Sequence, residues 1–174
     1  MGLGQTLLTI MALILMGRVI LTMNTVTLDT GFSKDMAEYR ITGTSLGISM
    51  LEKANQLFYD ENSILASISS VSSFSNVPLG YDSGESNESL YDDVDDYNGF
   101  IKYDTLANSA IFKTTVKVEY AVVSGGSIVT TNAKAYSKLL TVYITSDFLV
   151  DYSVNPPRPD TLKFMSLFSY WYFR

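Results

Sequence analysis

The chain contains no cysteine and no histidine, a single tryptophan and only four prolines. Without cysteine there are no disulfide staples, no thiol nucleophile and almost no route to structural zinc. Without histidine the commonest general base and the commonest transition-metal ligand are missing. Together these absences argue against an enzyme, and the sequence holds no phosphate loop, nucleophile elbow or zinc signature. Positive charge is also scarce. Twelve Lys and Arg face 18 Asp and Glu, for a net charge of −6 across 174 residues. Nucleic-acid binding needs a basic face, so no nucleic-acid partner is expected.

Hydrophobic residues make up 47% of the chain, and they are spread unevenly. The run from Gln5 to Met23 is rich in Leu, Ile and Met and carries one charge, Arg18. At roughly 1.5 Å per residue it reaches about 28 Å as a helix, close to the ~30 Å hydrocarbon core of a bilayer. Leu21-Thr22-Met23-Asn24 offers no small-x-small cleavage site, so the run reads as a retained single span rather than a secretory signal. Arg18 costs about 2.5–3.5 kcal/mol if it sits deep in lipid, unless it snorkels or meets a carboxylate on a neighbouring subunit. Asn24 to Gly31, with three threonines and a glycine, is a weak helical section expected to bend or melt.

From Phe32 the helical period returns. Tyr39, Gly43, Leu46, Gly47, Met50, Leu51, Ala54, Leu57 and Phe58 form one stripe, which places a helix end near Tyr59. Gly43 and Gly47, four apart on that stripe, suit either a membrane helix pair or a sheet pressed close; the polar surroundings favour the sheet. Residues 1–31 therefore read as an apolar helix with a weak section, and 32–174 as a globular domain. An acidic loop over 76–99 and an antiparallel sheet over 111–174 complete that domain.

In the sheet region Phe112, Val116, Tyr120 and Val122 are expected inside, with Lys113, Lys117 and Glu119 outside. Ser124-Gly125-Gly126-Ser127 supplies a hairpin turn, and Tyr136 to Phe148 a second long strand. A connector with Pro156, Pro157 and Pro159 follows. The closing segment from Thr161 carries Leu162, Phe164, Phe168, Tyr170 and Tyr172 on one side and Met165, Leu167, Trp171 and Phe173 on the other. It is expected to be covered on both faces. The fold class is α+β: one long helix, or two in line, packed on three or four antiparallel strands.

Two clusters carry candidate chemistry. In Tyr91-Asp92-Asp93-Val94-Asp95-Asp96-Tyr97-Asn98-Gly99, alternate carboxylates followed by Asn and Gly admit a calcium site on Asp92, Asp93, Asp95 and Asp96. The EF-hand spacing is not met. A solvated acidic loop folded by Asx turns explains the same residues and is the favoured reading, while paired catalytic carboxylates lack any supporting cleft residues. Tyr170, Trp171, Tyr172 and Phe173 suit either a ligand platform or, more commonly, core or subunit interface.

An extreme amino-terminal apolar helix, an amphipathic continuation, an acidic loop and an antiparallel sheet together resemble the type IV pilins and the related pseudopilins. Gly4-Gln5 looks like the junction cut by prepilin peptidase, with Met1 to Gly4 as a very short leader. Asp92 to Gly99 is similar to a phrase in some pilin-like proteins of the mannose-sensitive pilus type. The resemblance implies a structural subunit of an extracellular filament, held in the inner membrane before assembly. Copies of the chain would be its partners, alongside prepilin peptidase and the pilus assembly machinery. It further implies that Leu7, Leu8, Ile10, Met11, Leu13, Ile14, Leu15, Val19, Ile20 and Leu21 pack in a filament core, with Gln5, Thr9 and Arg18 as inter-subunit polar contacts. Two departures stand out: the leader has no basic residue, and the glutamate usual at the fifth mature position is replaced by Thr9 after cleavage or by Gln5 without it. A minor pseudopilin, or a single-span membrane-anchored binding module, are the alternative functions.

Overall fold

The computed structural model describes residues 2–106 and 110–172. Phe173 and the side chain of Tyr172, both placed in the aromatic cluster, lie outside the described residues. The elements are α1 (Leu3–Ala54), β1 (Ile101–Thr105), β2 (Ile111–Ser124), β3 (Ser127–Thr131), β4 (Ser137–Asp151) and β5 (Arg158–Ser169), with short 3-10 turns between α1 and β1. This is the expected α+β class. The chain divides into two compact units, Met1–Arg40 and Ile41–Arg174, so the division falls inside α1 rather than at Gly31.

In the first unit the helix runs through the Thr-rich section without a break. The expected bend between Asn24 and Gly31 is absent because the threonines are absorbed into the helix itself. The hydroxyls of Thr22, Thr27 and Thr30 donate to the carbonyls of Arg18, Met23 and Val26 at 2.8–2.9 Å, and that of Thr25 to Thr22. Such back-bonding leaves no hydroxyl competing with the helical ladder.

In the second unit the last turns of α1 lie on the sheet. The helix stops at Ala54, short of the expected Tyr59, and Leu57 and Phe58 leave the stripe to start an extended segment. Gly43, Gly47, Met50 and Ala54 are its buried residues. A Cβ at Gly43 would sit 2.8 Å from Leu162 Cδ1, and one at Gly47 would clash with the Phe164 ring carbons Cδ2 and Cε2. The sheet thus presses on the small-residue stripe, as its polar neighbours suggested. Gly47→Val should therefore destabilise the fold by about 1–3 kcal/mol through overpacking. Gly31→Ala, where a Cβ meets nothing within 4 Å, should instead firm the helix by up to about 1 kcal/mol. Thermal melts of the two variants test the contrast.

The sheet has five antiparallel strands in the order β1-β2-β4-β5, with β3 also paired to β2. β1 was not foreseen; it pairs with Ile111–Thr115 of β2, and β3 pairs with Tyr120–Ser124. Between them, Val116 N–H donates to Phe100 O, and Val118 N–H to the Asn98 side-chain oxygen, so Asn98 fills the gap in the ladder. Gly125 and Gly126 have φ of 59° and 79° and close the expected β2–β3 turn.

Phe112, Thr114, Val116, Val118 and Tyr120 alternate inward on β2. Val122, expected inside, is exposed, because β4 stops pairing with β2 at Tyr120 and only β3 continues. Likewise Met165, Leu167 and Trp171 are exposed, so β5 is covered on one face and not on both. β5 is an edge strand, which is why Pro159 is accommodated within it.

Candidate functional site

The first candidate surface is the apolar part of α1. Every residue from Leu3 to Asp35 is exposed, including all ten side chains named for core packing and the polar trio Gln5, Thr9 and Arg18. Gly4 and Gln5, the candidate cleavage junction, lie in the first turn of the helix. The segment reaches a mean hydropathy of 2.1 with none of that window buried, so by length and composition it is a candidate single membrane span. The Thr6 and Thr9 hydroxyls donate to carbonyls three or four residues back, as the later threonines do, so these hydroxyls are satisfied without water.

The second candidate is in the core of the sheet unit, where the sequence reading expected solvent. After α1, Phe58 forms a parallel bridge with Asp93: Phe58 N–H donates to Asp92 O at 2.9 Å and Val94 N–H to Phe58 O at 3.0 Å. That pairing draws the acidic run inward. Asp93, Asp95, Asp96 and Tyr97 are buried beside Asp60, not solvated. One Asx turn of the anticipated kind forms, with Asp93 Oδ1 accepting from the N–H groups of Asp95 and Asp96, and Asp96 Oδ2 reaches back to accept from those of Asp92 and Asp93.

The cation that balances them is Lys138, on β4, with no exposed surface. Its Nζ donates to Tyr59 O at 2.7 Å and Asp60 Oδ2 at 2.9 Å, and lies 2.7 Å from Asp95 Oδ1. The last contact is an ion pair, and no backbone N–H or hydroxyl among the described residues donates to either Asp95 oxygen. The rings of Tyr59 and Tyr120 stand 4.3 and 5.3 Å from Nζ. Behind them Phe74 and Tyr170 pack edge-on against Tyr59, and the Tyr59 hydroxyl donates to Ala135 O. Tyr170 is therefore core, while Trp171 covers Tyr136 from an exposed position.

Asp60 is the best-served carboxylate. It caps the turn Glu61–Ser63 through Asn62 N–H and accepts from both the N–H and the hydroxyl of Ser75. Burial pushes its pKa up, but Lys138 and these donors outweigh burial and hold it below the usual carboxylate range. Asp95 is the opposite case. Burial raises it to about 7 even though Lys138 opposes the shift. Asp93 is raised to about 8 by burial and then by the charges of Asp95 and Asp96, and burial raises Asp96 to about 6.

The four carboxylates named for calcium do not gather round one point. Among the described residues, the trio whose oxygens lie within 4.8 Å of one another is Glu61, Glu85 and Asp92. Asp92 is the only member of the named set in it; Asp93 and Asp96 spend an oxygen each on backbone N–H groups, and Asp95 faces Lys138. The sequence reading missed Asp60 and Lys138 altogether. A lone lysine in an alternating strand, at a position whose parity points inward, was the available signal.

No family model, no curated protein and no solved structure matches this chain.

Proposed function

We propose that the protein is a structural subunit of an extracellular pilus-like filament, assembled by packing of its apolar helices. One observation carries the reading: a helix apolar on all sides over its first half continues, unbroken, into turns that are buried against an antiparallel sheet. The first half needs an apolar environment and the second half does not. A bilayer supplies that environment to a monomer, and the helices of other copies supply it to a polymer. Burying each Leu, Ile or Met side chain contributes about 1.5–3 kcal/mol, ample for a polymer core. Internally bonded threonines suit either setting, because no hydroxyl is left requiring water. Arg18 is the one charge that must find a partner there, and Gln5 and Thr9 are short polar contacts near the start of the same helix.

The reading includes anchoring in the inner membrane before assembly and cutting between Gly4 and Gln5 by a prepilin peptidase. Electron microscopy of material sheared from cells, with the chain identified by peptide mass, is the test. Filaments containing it are expected; monomers under every condition would rule the reading out. Ile14→Asp should abolish both membrane retention and filaments, since a central aspartate costs about 2.5–3.5 kcal/mol on insertion scales.

A further inference from the structure

We propose that Lys138 and Asp95 condense into a covalent side-chain amide, tying β4 to the acidic turn, with Asp60 as the proton-relaying group. The proposal is independent of the filament reading and rests on the arrangement around one nitrogen. Lys138 Nζ is fully enclosed and 2.7 Å from Asp95 Oδ1, in direct ion-pair contact. It also donates to Tyr59 O and Asp60 Oδ2. Asp95 is 2% exposed, and among the described residues Lys138 is the one group that meets its carboxylate. A buried carboxylate whose one partner is an ammonium shared with a second acid is poorly stabilised as an anion. Asp60, by contrast, is held as an anion by Ser75, Asn62 and Lys138. The two acids beside one amine therefore have distinct parts: Asp95 as electrophile, Asp60 as base.

The step balances without a co-reactant. One ammonium proton passes from Nζ to Asp95, giving a neutral amine against a neutral acid. The Nζ electron pair then forms a bond to Asp95 Cγ. Asp60 takes a second proton from the nitrogen and delivers it to the departing hydroxyl, the Cγ–O bond breaks, and water leaves. Burial drives the reaction: it replaces a desolvated ion pair, which is costly to keep, with a neutral amide. Holding nucleophile and electrophile in contact supplies the effective concentration that the same groups lack in free solution. The aromatic walls of Tyr59 and Tyr120 keep water from reversing it.

The experiment is denaturing mass analysis and peptide mapping of the full chain, purified folded in mild detergent. The expected result is a protein lighter by one water and a branched peptide joining Lys138 to Asp95. Lys138→Arg should restore the full mass. Asp60→Asn should slow bond formation roughly 100-fold or more, as loss of a general base does. Wild-type protein yielding linear peptides with free Lys138 and free Asp95 would overturn the proposal, whatever the variants do. So would a water loss mapped to a linear peptide, or a branch at Asp60 instead of Asp95.

Discussion

Lys138→Met should lower the folding free energy by about 3–5 kcal/mol, the cost of removing one partner from a buried charge pair. The size follows from what is left behind. Asp60 and Asp95 are 0% and 2% exposed, and no other lysine or arginine is buried among the described residues. Among the described residues, Asp60 would lose its one charged donor and Asp95 its one cationic contact. The carbonyl of Tyr59 would lose its 2.7 Å donor as well. Methionine fills similar volume, so little of the loss is cavity. Replacing the acids too, as Lys138→Met with Asp60→Asn and Asp95→Asn, should recover much of it, because the unpaired charges are the penalty. A covalent Lys138–Asp95 bond would enlarge the single-variant loss through the loop it closes. Urea titration of full chain in mild detergent reads both numbers. A single-variant loss below about 1 kcal/mol would place the pair in the class of solvent-exposed bridges, contrary to its burial.

How far the sequence carried this picture depends on the range of the interactions involved. The helix, the β2 alternation and the Gly125-Gly126 turn are local patterns, and all three were legible from neighbouring residues alone. So was the close approach of the sheet to Gly43 and Gly47, since two glycines on a buried stripe have few other uses. What was not legible depends on partners distant in the chain. Val122 reads as an inward residue until β4 is seen to end its pairing at Tyr120. β1 is five residues with a lysine and an aspartate, too polar to stand out, and it exists because β2 offers an edge. The acidic run is the clearest case. Local composition makes it solvent-loving, and only Lys138, on a strand far along the chain, turns it into core. Its burial was hidden because the compensating charge was not nearby in sequence. The apolar half of α1 was legible as a span and equally as a filament core, since both demand the same surface.

The protein should be most stable near pH 4, where the unfolded aspartates begin to ionise, and lose on the order of several kcal/mol by about pH 8.5, since each unit of pKa shift is worth about 1.4 kcal/mol. The sign comes from which state holds the protons. In the unfolded chain aspartates ionise near pH ~3.9. In the folded chain burial keeps protons on Asp96 and Asp93 up to about 6 and 8, and on an Asp95 carboxyl not condensed with Lys138 up to about 7. Between those limits the native state binds more protons than the unfolded state, so the free energy of unfolding falls as pH rises. Their contribution is complete below the unfolded value and is lost stepwise through the folded ones. Asp60 runs the other way: its lowered pKa contributes above the unfolded value and is lost as pH falls through the folded one, which sets the acid limit. Tyr59 and Tyr120, raised above the ordinary tyrosine range by burial, remain neutral throughout this window. Melting temperatures across about pH 4 to 9 should therefore decline on the alkaline side, and Asp93→Asn should flatten the decline most at its upper end. A maximum at pH 7 to 8 would instead mean that the carboxylates are ionised and solvated in the folded protein, in conflict with a core that buries four of them and, among the described residues, one lysine.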